Sequence, residues 1–223
     1  MVTRAEEQAG PVVDVLSAAG AHVVSLPLIE IVEPLDGGAA RDAALANIST
    51  YEWLVVSSPN GARRVIGALQ QSLNNAQRIP RIAVLGNGTR QVIEDVLRIE
   101  IDVQAAVPSG EGLVQSFPTY TSGAEGNRVL LVQGESADLT VVTGLAEKGW
   151  KVTRVNAYRT AHCVPSDETR EQVQHGDAVI FASGSAARSW VSALGTDFKG
   201  KVVVIGPVTQ KVATSLGLEV HAV

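Results

Sequence analysis

The sequence lacks the features that define several common classes of protein. Its 223 residues include one cysteine, Cys163, so no disulfide can form within the chain and a disulfide-stabilised scaffold is excluded. No apolar run approaches the roughly 18 residues that a membrane-spanning helix needs, and the opening MVTRAEE lacks the apolar segment of a signal peptide. We therefore expect a cytoplasmic protein that has no membrane partner.

Positive charge and aromatic side chains are scarce too. The chain has 18 Lys and Arg residues against 23 Asp and Glu, a formal net charge of −5, and its longest cationic run is Arg63-Arg64. Because binding to nucleic acid needs a basic surface, we expect no nucleic-acid partner. Aromatic residues make up only 4% of the chain, which argues against stacking platforms for bases or sugars.

Motifs for metals and cofactors are missing as well. The sequence has no Ser-His-Asp or Cys-His arrangement with recognisable spacing. Its histidines are isolated from one another: His22, His162, His175 and His221. Gly86-Asn87-Gly88 begins like a dinucleotide-binding loop, but Gln91 stands where the third glycine belongs. We predict no metal site and no cofactor.

Apolar sequence, by contrast, is plentiful at 45% of the residues. Short runs rich in Val, Ile and Leu alternate with Ala-rich stretches of helical period, which is typical of βαβ units and a parallel sheet. We predict strands at residues 2–4, 22–29, 53–57, 81–85, 102–107, 128–133, 151–156, 178–182, 201–205 and 219–223. We predict helices at residues 6–19, 60–71, 89–97, 112–120, 138–148, 167–174, 185–194 and 209–216.

The second half of the chain repeats the first. Residues 53–63 align without gaps on residues 178–188, and residues 82–89 align on residues 202–209. A duplicated α/β unit of five strands predicts two similar lobes, with a ligand in the crevice at the carboxyl ends of the strands. The long extended segments 26–34 and 155–160 are the best candidates for connections between the lobes.

A series of short motifs recurs in the order and spacing of one enzyme family. The motifs are VTR at 2–4, LPLI at 26–29, WLVVSSPN at 53–60, GNGT at 86–89, EGL at 111–113, AYRT at 157–160 and IGPVT at 205–209. Each is a weak signal alone, but their succession within a duplicated chain is specific. The chain resembles the uroporphyrinogen-III synthase family over nearly its whole length.

The resemblance implies an α/β fold with an interleaved chain path. Lobe one would comprise residues 1–32 and 160–223, and lobe two residues 36–156, with linkers at about 29–35 and 156–161. Each lobe would be a five-stranded parallel sheet flanked by helices, and two linker strands would connect the lobes. The resemblance also implies a monomer.

The implied reaction cyclises hydroxymethylbilane to uroporphyrinogen III, with loss of water and inversion of the last pyrrole ring. It belongs to tetrapyrrole biosynthesis (heme, siroheme and cobalamin) and would make the protein a hydro-lyase. Such chemistry depends on positioning and charge stabilisation more than on acid/base groups. The implied partners are the substrate and, transiently, the preceding pathway enzyme. An alternative stays open: a catalytically silent module of the same fold that binds a tetrapyrrole or another small anion.

The resemblance also assigns roles to individual residues. Tyr158 would be catalytic, with a hydroxyl that donates to the departing water or orients a ring. The expected substrate-binding residues lie at strand ends and helix starts: Thr3, Arg4, Ser58, Asn60, Thr89, Ser183, Ser185 and Thr209.

Several of these residues have a structural interpretation too. Ser58 and Ser183 fit helix N-caps, Thr89 and Thr209 fit first-turn hydroxyls, and Tyr158 fits a half-buried strand tyrosine. The two interpretations are compatible, because a helix N-terminus presents free N–H groups and a partial positive charge to an anion. Backbone amides would thus let an acidic chain hold a substrate that has eight carboxylates.

Overall fold

Residues 1–4, 6–121 and 126–223 are described by the structure, which is a computed structural model. The chain divides into a terminal unit, Met1–Ile31 with Thr160–Val223, and a middle unit, Val32–Arg159. The helices are α1 (Glu6–Ala18), α2 (Ala39–Ala46), α3 (Pro59–Asn74), α4 (Asn87–Leu97), α5 (Gly110–Ser116), α6 (Thr140–Glu147), α7 (Asp167–Gln174), α8 (Gly184–Leu194) and α9 (Pro207–Ser215). The strands are β1 (Ile29–Val32), β2 (Trp53–Val56), β3 (Arg81–Val84), β4 (Val103–Gln104), β5 (Arg128–Gly134), β6 (Lys151–His162), β7 (Ala178–Phe181), β8 (Lys201–Val204) and β9 (Val220–Ala222).

The larger sheet has the strand order β1-β6-β5-β2-β3-β4 over the described residues. The pairs from β6 to β4 are all parallel. Trp53 at the start of β2 is level with Val129 of β5 and Arg81 of β3. Because these strands run side by side in one direction, the turns that follow β2, β3 and β5 lie at the same edge of the sheet.

Helices cover both faces of this sheet. Leu54 and Val56 of β2 pack in a cluster with residues of α3 and α4, and the alternate residues Trp53 and Val55 pack in a second cluster with residues of α5 and α6. Side chains alternate between the two faces of a strand, so a strand covered on both faces needs apolar residues at every position. This requirement explains why β2 reads WLVV, four residues that are all buried.

The terminal unit has a smaller parallel sheet with the order β7-β8-β9. Beside β7, Val2 forms isolated parallel bridges with Ile180 and with Ser25. The Val2 N–H donates to the Val24 carbonyl at 3.0 Å, and the Leu26 N–H donates to the Val2 carbonyl at 2.9 Å. Over its described residues, the unit thus aligns five chain segments, three of which are full strands.

The structure confirms the α/β class and its parallel sheets, but the strand counts differ from the five predicted for each lobe. The predicted strands 2–4 and 22–29 are reduced to the bridges at Val2, because the chain bends at Arg4 and enters α1 two residues later. The larger sheet gains a sixth strand, since β1 adds to its edge and β6 runs to His162, six residues further than predicted.

Two further elements differ from prediction. No element was predicted between residues 35 and 52, where the structure has α2 with a short 3-10 helix, Ile48–Thr50, after it. The predicted strand at 102–107 shrinks to β4, because side chains take over the backbone bonds at both ends: the Asp102 carboxylate accepts the Ile82 N–H at 2.8 Å, and Ser116 Oγ accepts the Ala106 N–H at 3.3 Å. No helix in the described ranges is long and apolar enough to cross a membrane.

Candidate active site

Tyr158 lies on β6, opposite the last residue of β5. The register of this strand pair shifts after Gln133, so that Gly134 pairs with Tyr158, and the Glu135 N–H donates to the Tyr158 carbonyl at 2.9 Å. A Cβ atom at position 134 would lie 3.0 Å from the Tyr158 Cζ and 3.1 Å from its hydroxyl oxygen. The tyrosine ring therefore lies so close to the backbone at position 134 that any side chain there would require the ring to shift.

The Tyr158 hydroxyl donates a hydrogen bond to Ser58 Oγ at 3.1 Å. Ser58 is also the N-cap of α3, since its Oγ accepts the Gly61 N–H at 3.1 Å, and Pro59 occupies the first turn. A serine hydroxyl has two acceptor sites and one proton. With both acceptor sites taken, the Ser58 proton is left for donation, so capping α3 is compatible with the expected contact to a substrate.

The turn from β3 into α4 lies next to the turn from β2 into α3. A Cβ atom on Gly88 would approach Pro59 Cγ to 3.5 Å, an ordinary contact distance. Thr89, in the first turn of α4, is buried, and its N–H donates to the Gly86 carbonyl at 3.1 Å. Asn60, in the first turn of α3, accepts a hydrogen bond from Arg63 at 3.1 Å. The starts of two helices thus converge beside the Tyr158–Ser58 pair.

In the terminal unit, the equivalent turns follow β7 and β8. Ser183 is the N-cap of α8, with its Oγ accepting the Ala186 N–H at 3.2 Å. The Ser185 carbonyl accepts a hydrogen bond from Ser189 Oγ at 3.0 Å. Thr209 is buried in the first turn of α9. These residues repeat the arrangement of Ser58 and Thr89 around a second pair of helix starts.

Thr3 and Arg4 follow the bridging residue Val2. Thr3 is fully buried, and its Oγ donates to the Ile180 carbonyl at 2.8 Å. This hydroxyl is therefore engaged within the terminal unit. Arg4 is partly exposed.

A group of charged residues contacts the backbone next to Tyr158, and the sequence did not predict it. We call it the Arg41 cluster: Glu33, Arg41, Asp42 and Arg64. Arg41 is 8% exposed, and its Nη1 donates to the carbonyl of Ala157 at 3.0 Å and to Glu33 Oε2 at 2.7 Å. Hydrogen bonds to Asp42 and Glu33 raise the pKa of the Arg41 guanidinium above its usual value, so it stays charged. The signal available in the sequence was a lone arginine in an Ala-rich stretch after Gly37-Gly38.

Comparison with known proteins identifies the family. The family model of uroporphyrinogen-III synthase HemD matches residues 11–223. The chain belongs to this family.

Individual members of the uroporphyrinogen-III synthase family align over almost the whole chain. The chloroplastic uroporphyrinogen-III synthase of Oryza sativa subsp. japonica is 27% identical over 227 residues, covering 98% of this chain and 73% of that protein. The uroporphyrinogen-III synthase of Synechococcus elongatus is 30% identical over 223 residues, covering 94% of this chain and 83% of that protein.

A solved family member has the same fold. The crystal structure of a mutant uroporphyrinogen III synthase from the extremely thermophilic bacterium Thermus thermophilus matches with a TM-score of 0.68, covering 99% of this chain and 90% of that chain. Sequence identity in this comparison is 11%, so it supports the architecture and not the role of any residue.

Proposed function

We propose that the protein is a uroporphyrinogen-III synthase, a hydro-lyase that cyclises hydroxymethylbilane to uroporphyrinogen III in tetrapyrrole biosynthesis. The observation that carries this proposal is the hydrogen bond from the Tyr158 hydroxyl to Ser58 Oγ, at the start of α3 and at the edge where parallel strands end. In a chain of this family, that pair provides a proton donor beside helix N-termini, which suits a reaction that expels hydroxide from a polyanionic substrate.

The chemistry requires positioning more than acid or base strength. The terminal hydroxyl leaves with assistance from its own pyrrole nitrogen, which gives an azafulvene cation and, after proton transfer, water. At this step the Tyr158 hydroxyl would turn its one proton from Ser58 Oγ to the departing oxygen, and the Ser58 O–H would then donate to the phenol oxygen. The enzyme then directs the substituted carbon of the last ring to the methylene carbon of the cation, which forms a spiro intermediate. The original bond between that ring carbon and its bridge carbon breaks, the bridge carbon bonds to the free α-carbon of the same ring, and loss of the α-proton restores the pyrrole, so the ring is inverted.

Eight substrate carboxylates need partners, and the net charge of −5 provides no general attraction for them. Backbone N–H groups at the starts of α3, α4, α8 and α9 would bind several of them. The side chains proposed to assist are Arg4, Ser58, Asn60, Thr89, Ser183, Ser185 and Thr209. The Thr3 side chain is fully buried and bonded to the Ile180 carbonyl, so we propose that it supports the neighbouring Arg4 and does not contact the substrate itself. The lobes proposed to carry these groups are residues 1–32 with 160–223 and residues 36–156. We propose that the protein acts as a monomer in the cytoplasm and contacts the preceding pathway enzyme transiently.

An isomer assay tests the proposed function. Freshly prepared hydroxymethylbilane is incubated with the protein, the products are oxidised to porphyrins, and the type I and type III isomers are separated by chromatography. We expect type III product, formed faster than spontaneous ring closure gives type I. Type I alone, at the rate without protein, would contradict the proposal. Tight binding of the tetrapyrrole without turnover would then support the silent module.

A further inference from the structure

We propose that Arg41 is a positioning residue for Tyr158, acting through the backbone of β6 and the start of α3. The catalytic consequence of this inference rests on the proposed function. The structural consequence, a fixed place for the Tyr158 ring, does not, and it is tested separately below.

The first step is the contact with the backbone of β6. Arg41 Nη1 donates to the carbonyl of Ala157, the residue before Tyr158, at 3.0 Å. Ala157 is completely buried. Charge-assisted hydrogen bonds in buried surroundings are stronger than neutral ones at the surface. This bond therefore fixes the peptide group from which the Tyr158 side chain projects.

The second step is the link to the partner of the tyrosine. One carboxylate, that of Glu33, accepts from Arg41 at 2.7 Å through one oxygen and from Arg64 at 2.5 Å through the other. Arg64 belongs to α3, the helix that Ser58 caps. The Arg41 cluster thus ties the strand that carries the phenol to the helix that carries its acceptor, so it sets the distance between the Tyr158 and Ser58 hydroxyls.

The third step is the space that the guanidinium occupies. A Cβ atom on Gly38 would lie 2.3 Å from Arg41 Nη2 and 2.7 Å from its Cζ. Because the guanidinium is buried and hydrogen-bonded, it cannot move aside without breaking its bonds to Glu33 and Ala157. Gly37 is also in the left-handed region, with φ of 66° against 86° for Gly38, yet a Cβ atom on Gly37 would meet nothing within 4 Å. An alanine at either position meets the same type of backbone strain, and only the one at 38 displaces Arg41.

The direct test reports on the tyrosine and not on activity. The chain has three tyrosines, Tyr51, Tyr120 and Tyr158, so labelling with 3-fluorotyrosine gives three fluorine signals, and Tyr158→Phe assigns one of them. We expect Arg41→Met and Gly38→Ala to shift or broaden the Tyr158 signal. Gly37→Ala is the matched control and leaves that signal where the unsubstituted protein has it.

A double-mutant cycle gives the catalytic test. If Arg41 acts through Tyr158, Arg41→Met lowers kcat for type III product by no more than Tyr158→Phe does, with KM little changed. In the Tyr158→Phe background, the same Arg41 substitution then lowers kcat by less than about a further twofold. We expect Arg41→Lys to restore part of kcat, because it keeps one charged donor.

The outcomes separate this inference from the proposed function. An unchanged Tyr158 signal in folded Arg41→Met, or losses that multiply in the double mutant, would overturn the positioning role. If Arg41→Met does not fold, the comparison of Gly38→Ala with Gly37→Ala decides by the same signal. If the unsubstituted protein forms no type III isomer, the proposed function fails, and the fluorine spectra still decide whether Arg41 positions the ring.

Discussion

At the scale of single residues, the candidate site depends on what surrounds Tyr158 as much as on its hydroxyl. The ring lies against Gly134, its oxygen donates to Ser58, and the preceding carbonyl is held by Arg41. Tyr158 was identifiable from the sequence because it belongs to a family motif. Gly134 and Arg41 belong to no motif, and their roles depend on which strands become neighbours, which local sequence does not encode.

Removal of the phenol oxygen gives the first prediction. We expect Tyr158→Phe to lower kcat for type III product modestly, by less than about tenfold, because positioning is shared among many contacts. The ratio of type III to type I product, measured with kcat, checks this. A loss of several thousandfold would instead show that the hydroxyl carries out an essential proton transfer.

Displacement of the ring gives the second prediction. Gly134→Ala places a methyl group 3.0 Å from the Tyr158 Cζ, so the ring must shift by a few tenths of an ångström, which strains its hydrogen bond to Ser58. We expect a loss of kcat that does not exceed the loss from Tyr158→Phe. Gly67→Ala, on the exposed side of α3 with nothing within 4 Å of the added Cβ, is the control. It keeps full activity and stabilises the protein by about 0.5–1 kcal/mol. Equal activities for the two alanine variants would contradict the placement of the ring.

At the scale of elements, helices with a serine cap were predicted closely, whereas two segments predicted as strands form only bridges. The serine before Pro59 placed the start of α3 within one residue, and α7 begins and ends where it was predicted, because caps are encoded locally. The segments 2–4 and 22–29 have strand-like composition, yet they form only bridges, since the length of a strand depends on how long its neighbours stay alongside. The close packing of α8 on α9 also depends on tertiary structure. A Cβ atom on Gly184 would lie 2.9 Å from Val212 Cγ2, and no local helix signal indicates this contact.

Two equivalent caps give the third prediction. Ser58 caps α3, and Ser109 caps α5 in the same way, with its Oγ accepting the Gly112 N–H at 3.0 Å. We expect Ser58→Ala and Ser109→Ala each to lower the free energy of unfolding by about 1 kcal/mol. Only Ser58→Ala is expected to lower kcat as well, because Ser58 also accepts from Tyr158. Urea unfolding and the isomer assay on both variants check this. If the two variants have equal kcat, Ser58 serves only as the N-cap of α3.

At the scale of the whole molecule, the duplication in the sequence predicted more symmetry than the fold has. Residues 53–63 and 178–188 align without gaps, and both segments form a strand, a serine cap and a helix. The larger sheet nevertheless has six strands in the described chain and the smaller one three, because β1 adds to the larger sheet and the segments at Val2 and Ser25 form only bridges beside the smaller one. The repeated sequence thus predicts the strand, cap and helix of each half. The number of strands in each sheet depends on the connecting segments as well.

This asymmetry leads to the last prediction, which concerns local opening. β2 and β5 have a strand on each side and lie in the interior of the larger sheet. β7 pairs along its length with β8, but on its other side the described residues place only the short segment Met1–Thr3, which forms backbone hydrogen bonds with Ala178 and Ile180. Amides in less extensively paired segments exchange through smaller openings. We therefore expect amides of β7 to exchange with solvent hydrogen sooner than those of β2 and β5.

Native-state hydrogen exchange at increasing urea, followed by mass spectrometry, measures this difference. Val2→Ala adds a matched perturbation, because Val2 is buried beside β7 and its truncation removes packing from the terminal unit. It is expected to speed exchange in β7 and leave β2 unchanged. Identical exchange of β2 and β7 at every urea concentration would show that both units open in a single cooperative step. The uneven division of strands would then have no effect on which part of the chain opens first.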